Sequence, residues 1–192
     1  MDRPHADEVK MSADAFYRLV LDRQSDRAFD TERPVGRDVL DRILEAARMA
    51  PSACNGQPWK MVVVDDATLA FKVGQAVSGM GMNKFAVTAP VHILIVEERG
   101  SWVSRLGGRI KDKYFPLMDI GILASYITLA AESEGLGSCM LGWFDEEAVK
   151  RLAGIPHRKR LLLDVAVGYP LKAVKRPKKR KDRSETVSYN RY

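Results

Sequence analysis

The chain has 192 residues, of which 46% are hydrophobic and 29% are charged, and its formal net charge at pH 7 is +6. This length and composition predict one folded domain over residues 1–192 and exclude a disordered or fibrous protein. No apolar run approaches the roughly 18 residues that a membrane-spanning helix needs, and no signal peptide is evident. We therefore expect a cytoplasmic protein with no membrane partner and a flexible N-terminus over residues 1–11.

The positive charge is concentrated in a C-terminal extension. Residues 171–192 carry nine Lys or Arg against Asp182 and Glu185, a surplus of seven, which leaves residues 1–170 at minus one. Seven of the ten residues in 172–181 are basic. We expect no nucleic-acid partner. The alternative, a nucleic-acid-binding arm, predicts sequence-independent binding that weakens steeply with salt.

Hydrophobic periodicity predicts helices and buried strands in alternation. Ser12 can cap a first helix that ends near Asp22, and a second, amphipathic helix follows Pro34 and stops before Pro51. The remaining predictions are a strand at 60–64, a helix at 68–77, a loop at 78–82, a strand at 91–96, a long apolar helix at 118–134, a strand at 138–141, a helix capped by Asp145 and a strand at 161–167. This order predicts α/β or α+β layers around one sheet.

The cysteine and histidine pattern does not indicate a metal site. Cys54 and Cys139 lie far apart without CxxC spacing, so we expect two free thiols. His5, His92 and His157 are scattered, and the apolar run around His92 indicates a packed core residue. We expect no bound metal.

Three segments carry polar groups suited to a small ligand. In residues 23–27 two arginines flank Ser25 after a helix, which suits phosphate or a heterocycle edge, although a solvated helix end is the alternative. Residues 51–59 form a rigid polar loop suited to a flat ring, or a structural turn. Residues 141–143 place Gly142 between a strand and a helix, where a ligand can approach backbone N–H groups, or form an ordinary turn.

Taken in order, these segments resemble the nitroreductase family over residues 21–190. The family's Arg-x-Ser-x-basic-x-Phe motif stands at residues 23–29, and its Ala-Pro-Ser-x-x-Asn-x-Gln-Pro-Trp motif, the most specific match, stands at 50–59. Further matches are Gly-Leu-Gly at 135–137, Gly-x-Phe-Asp at 142–145, Gly-Tyr-Pro at 168–170 and Lys-x-Arg at 178–180. The resemblance implies an α+β fold of three α/β/α-like layers with a mainly antiparallel central sheet. It also implies an intertwined homodimer whose C-terminal tail extends over the partner.

The same resemblance implies that FMN is bound at the dimer interface by residues from both chains. It assigns Arg23, Gln24, Ser25, Arg27, Leu141, Gly142, Lys178 and Arg180 to the site, with Asn83 as a further candidate. From the partner subunit it assigns Pro51, Ser52, Ala53 and Asn55. The cations would hold the phosphate, and the backbone at Leu141 and Gly142 would face flavin N5.

Family members transfer reducing equivalents from NAD(P)H through FMN to nitroaromatics, quinones or flavins by ping-pong chemistry, so we expect no catalytic side chain. The alternatives on this fold are a dehydrogenase and a reductive dehalogenase. Trp102, Tyr114 and Phe115 form a lid over the acceptor or simply pack a loop. The surplus cations of the tail are solvated or recruit NADPH.

Overall fold

The computed structural model describes residues 11–100, 112–172 and 174–192. The helices are α1 (Ala13–Asp22), α2 (Arg37–Arg48), α3 (Ala67–Val77), α4 (Phe115–Ser133), α5 (Glu146–Leu152) and α6 (Arg183–Thr186). The strands are β1 (Trp59–Val64), β2 (Val91–Glu97), β3 (Gly137–Leu141) and β4 (Leu161–Gly168). Of the flexible N-terminus expected over residues 1–11 only Met11 is described, and Trp102 lies outside the described residues.

Local hydrogen bonds explain the helix starts that the sequence predicts. Ser12 Oγ accepts from the Ala15 N–H at 3.1 Å, and Asp145 Oδ1 accepts from the Ala148 N–H at 2.9 Å, so both predicted caps are confirmed. Helix α4 begins at Phe115, three residues before its predicted start, because a proline is well tolerated in the first turn.

The four strands form one antiparallel sheet in the order β1-β2-β4-β3. Val63 faces Ile93 across the first pair, and Ile93 faces Val165 across the second. Met140 faces Val165 across the third pair. Strand β3 stands at one end of the strand order and is therefore an edge strand. The mainly antiparallel sheet predicted from the resemblance is confirmed.

Helices cover both faces of the sheet, which gives three layers. On one face, Ile43 of α2 and Leu123 of α4 pack with Ile93 of β2 in one buried cluster. On the other face, Val73 of α3 and Val149 of α5 pack in a second cluster. The predicted α+β arrangement is thus confirmed.

Helix α4 is the one helix among residues 11–100, 112–172 and 174–192 that is long and apolar enough, by length and composition alone, to cross a membrane. This differs from the prediction that no apolar run approaches that length. Seven α4 residues are buried within the protein, as in the core helix of a globular fold. Its opposite face exposes Met118, Ile122 and Tyr126.

A buried ion-pair geometry links the two central strands. His92 Nδ1 of β2 lies 2.8 Å from Asp164 Oδ2 of β4, and both side chains have no exposed surface. The prediction that His92 is a packed core residue is therefore confirmed. Neither cysteine forms a disulfide; Cys54 is exposed and Cys139 is buried.

Candidate functional site

Residues 23–27 leave α1 and run along the outer edge of β3. Arg23 N–H donates to Leu19 O at 3.0 Å and closes the helix, and Ser25 forms a parallel bridge with Ser138. Asp26 N–H donates to Ser138 O at 2.9 Å. The backbone of this segment is therefore fixed by hydrogen bonds to the sheet rather than left as a free surface loop.

The basic tail folds back onto this segment within the same chain. Lys178 Nζ donates to Arg23 O, and Arg176 donates through its guanidinium to Ser25 O. Gln24 Nε2 donates to the carbonyl oxygen of Val174 at 2.9 Å. The structure thus brings Lys178 to the segment 23–25. The resemblance had assigned Arg23 and Lys178 to the same phosphate, but it did not indicate this hydrogen bond.

Like charges gather where the tail meets the segment. The pKa of Lys178 is lowered, chiefly by burial, then by repulsion from Arg23 and from Arg180. The carboxylate of Glu132 is close enough to raise it in part, but Glu132 is itself ion-paired with Lys175. Cations held together in this way form a site where an anion such as a phosphate would relieve the repulsion.

Arg27 and Ser25 lie beside Cys139 of β3. Burial raises the pKa of the Cys139 thiol, and the neighbouring Arg27 charge and Ser25 hydroxyl oppose this only in part. Because the thiolate is the reactive form, this cysteine is an inert core residue rather than a nucleophile.

The loop at residues 51–59 holds an unusual backbone. Cys54, Asn55 and Gln57 have φ values of 51°, 50° and 42°, a left-handed region that side chains other than glycine seldom adopt. Ser52 Oγ accepts from the Gln57 N–H at 2.9 Å, and Gln57 Nε2 donates to Asn55 Oδ1 at 3.1 Å. Strain that the surrounding hydrogen bonds maintain is typical of ligand-binding loops.

This loop is attached to the opposite end of α4 from the tail. Ala53 N–H donates to Asp119 Oδ1 at 3.1 Å near the start of α4, whereas Lys175 pairs with Glu132 near its end. With a rise of about 1.5 Å per residue, the two attachment points are roughly 20 Å apart. Within one chain, the structure therefore does not bring Pro51, Ser52, Ala53 and Asn55 to the cations of the tail.

The third predicted segment lies farther along β3. Leu141 ends the strand and is buried, and Gly142 is exposed directly after it. At about 3.3 Å per residue, Gly142 lies roughly 13 Å from Ser138, which the segment 23–27 contacts. Asn83 Nδ2 donates to Trp143 O at 2.8 Å, so Asn83 lies next to this turn. The structure thus brings Asn83 and the 141–143 turn together.

Two of the three predicted lid residues lie at the start of α4. Tyr114 donates through its hydroxyl to Glu97, which raises the pKa of Tyr114, and Phe115 is the first residue of α4. A cavity of about 260 Å³ lies between α3 and the loop before α2, with Val35 and Phe71 in its wall. None of the predicted cofactor-binding residues lines that cavity.

Sequence reasoning did not single out Asp26 or Arg176, which the structure places in the hydrogen-bond network around Gln24. Arg176 stood in the basic run without any feature that separates it from its neighbours. The only sequence feature that could have indicated a role for Asp26 is its position as an acidic residue between Arg23 and Arg27.

Comparison with known proteins shows which family the chain belongs to. A sequence profile described as Nitroreductase family matches residues 20–169. Iodotyrosine deiodinase 1 of Rattus norvegicus is 27% identical over 187 residues, which cover 85% of this chain and 65% of that protein. NADH dehydrogenase of Thermus thermophilus is 30% identical over 176 residues, covering 78% of this chain and 84% of that protein.

Among solved structures, an FMN-dependent nitroreductase from Clostridium difficile R20291 matches with a TM-score of 0.69 and 24% identity, covering 91% of this chain and 98% of that one. This likeness shows the fold. The chain spans about 65% of the length of the mammalian deiodinases that it matches. Because the profile covers well over half of the sequence, the chain belongs to the nitroreductase family.

Proposed function

We propose that this protein is an FMN-dependent oxidoreductase that passes reducing equivalents from NADH or NADPH to a small electrophilic acceptor by ping-pong chemistry. The observation that carries the proposal is the cluster of Arg23, Lys178 and Arg180, which forms where Lys178 Nζ donates to Arg23 O. Burial, and then repulsion from the two arginines, lowers the pKa of Lys178. A phosphate monoester carries close to two negative charges at neutral pH, which this cluster can neutralise.

The donor set along β3 fits the remainder of FMN. When bound, FMN supplies hydride transfer between the nicotinamide and the acceptor. Arg23, Lys178 and Arg180 hold the phosphate, and the Ser25 hydroxyl and Arg27 serve the ribityl chain and pyrimidine edge. A cation at that edge favours the negative charge that reduction adds. Gly142 leaves room for a flat ring beside the backbone of the 141–143 turn.

We further propose that the site is shared by two subunits of a homodimer. The separation of roughly 20 Å between the two attachment points on α4 supports this. The residue 51–55 loop is too far from the cations of its own chain, so it contributes to the FMN site of the partner subunit. Exposed apolar side chains on α1 and α4 also support it, since a monomer seldom exposes so many together. They are Phe16, Tyr17, Val20, Met118, Ile122 and Tyr126.

A reductive dehalogenase is the second candidate on the same site, because the similarity to iodotyrosine deiodinase 1 spans 85% of the chain. A dehydrogenase is the third, in view of the Thermus relative. The contacts of the tail with residues 23–25 support a phosphate clamp over a nucleic-acid arm, since a free arm would make no such contacts.

The test is the visible absorption spectrum of the purified protein, followed by anaerobic reduction with NADH or NADPH and reoxidation by separate acceptors. We expect flavin bands that bleach with a nicotinamide nucleotide and return with a nitroaromatic or a quinone. Return with a halogenated phenol alone would favour the dehalogenase. A colourless protein that takes up no added FMN would refute all three candidates.

A further inference from the structure

Gln24 is a nearly buried side chain whose partners lie mostly in the C-terminal tail. It is 9% exposed. Its Nε2 donates to Asp26 Oδ1 and to Val174 O, each at 2.9 Å. Its Oε1 accepts from Arg176 N–H at 3.1 Å and from Arg176 Nε–H at 3.2 Å.

These four bonds use the full capacity of a carboxamide, which has two N–H donors and two acceptor lone pairs. None is left for a ligand. We infer that Gln24 is a positioning residue that docks the tail and does not bind the cofactor through its side chain. The resemblance alone had assigned Gln24 to cofactor binding. We call Gln24, Asp26, Val174 and Arg176 the Gln24 latch.

Asp26 sets the orientation of the Gln24 amide. A carboxylate only accepts hydrogen bonds, so it requires the NH₂ end of Gln24 to face it. The oxygen of Gln24 then points to the two Arg176 donors. The backbone N–H of Asp26 donates to Ser138 O, and its side chain is nearly buried against Gly137, where an added Cβ would come within 2.7 Å of Asp26 Oδ2. This packing limits the movement of the carboxylate.

The latch places the phosphate-binding cations before any ligand arrives. Lys178 lies two residues beyond Arg176 and donates to Arg23 O. A clamp assembled in advance costs less ordering entropy when the anion binds. The identity of the anion as FMN phosphate rests on the proposed function; the docking of the tail by Gln24 does not.

The experiment compares Gln24→Leu with the wild-type protein in two measurements. In the cofactor-free protein, hydrogen exchange of the Arg176 amide should become faster by ~10-fold or more once its acceptor is gone. The dissociation constant for FMN should rise by ~10-fold or more, while that for riboflavin, which lacks the phosphate, changes by less than about 2-fold. Gln75→Leu, an exposed glutamine of α3, should change neither.

Unchanged Arg176 exchange in Gln24→Leu would overturn the inference. Equal weakening of FMN and riboflavin would overturn it too, because that result indicates a flavin contact or a general loss of structure. If Gln24→Leu does not fold, Arg176→Leu on the exposed side of the latch should show the same preferential loss of FMN over riboflavin. A wild-type protein that binds neither flavin would refute the proposed function, while the exchange measurement would still decide the latch.

Discussion

The ammonium group of Lys178 donates a hydrogen bond to the backbone carbonyl oxygen of Arg23, which joins the end of the chain to the turn after α1. The contact also places two positive side chains next to each other. Burial and this neighbour together hold the pKa of Lys178 below its ordinary value. Such an arrangement is costly for the cofactor-free protein and favourable once a phosphate is bound.

Replacing Lys178 should weaken FMN binding specifically. For Lys178→Met we expect the FMN dissociation constant to rise by ~10-fold or more, because a charge-assisted hydrogen bond is lost. Lys179→Met removes the same charge from the exposed neighbouring position and should change it by less than about 3-fold, as for a screened surface charge. Fluorescence titration with FMN measures both, and equal losses would argue against a clamp at Lys178.

FMN affinity should fall as the pH rises at alkaline values below 10.5, the ordinary pKa of a lysine. Because the pKa of Lys178 is lowered in the folded protein, its charge is lost earlier than that of a free lysine. Lys178→Arg should flatten the profile, since a guanidinium stays protonated. Riboflavin titrated over the same range corrects for ionisation of the ring, and a profile shared by FMN and riboflavin would contradict the prediction.

The stability of the cofactor-free protein should rise with pH over the range in which Lys178 loses its charge, whereas FMN affinity falls. A cation with a lowered folded-state pKa is a penalty that is fully present below that pKa and disappears as the pH rises to 10.5. Lys178→Met should therefore flatten the rise of stability between those values. Urea unfolding at several pH values measures this, and a steeper rise in the variant would show that the sign is wrong.

The His92 and Asp164 pair should be strongly coupled. His92→Leu leaves a buried carboxylate without its partner, and we expect a loss of about 3 kcal/mol in the free energy of unfolding. His92→Leu combined with Asp164→Leu should lose less than the sum of the two single variants, because no unpaired polar group remains. Additive losses in a double-mutant cycle would show that the two side chains do not interact.

Gly137→Ala should destabilise the protein by displacing the Asp26 side chain of the segment 23–27. A Cβ there would lie 2.7 Å from Asp26 Oδ2 and 2.9 Å from Asp26 Cγ, so we expect a loss of about 1–3 kcal/mol by urea unfolding. Gly79→Ala is the matched control, since a Cβ at that position meets nothing within 4 Å. Equal effects of the two substitutions would contradict the contact with Asp26.

The sequence predicted the local features well and the long-range ones poorly. Ser12 and Asp145 were identified because a cap is a bond between residues three apart. Helix α6 was missed, although Asp182 and Glu185 form a capping box, because it is only four residues long and has no apolar stripe.

The docking of the tail could not be predicted, since Gln24 and Arg176 are 152 residues apart and no local pattern records their bond. The family resemblance had placed the tail over the partner subunit. In the structure its first part, residues 174–178, contacts its own chain, and an extension of the later residues over a partner stays a prediction. The cytoplasmic location also stays a prediction.

The most direct test of the shared site mixes two damaged subunits. One carries Arg23→Ala and Lys178→Met, the other Ser52→Ala and Asn55→Ala, and each alone should purify without flavin. A dimer containing one subunit of each kind, isolated with two affinity tags, combines an intact clamp with an intact loop at one of its two sites. We predict one FMN for each mixed dimer, measured by flavin absorbance; a mixed dimer as colourless as its parents would contradict a site built from two chains.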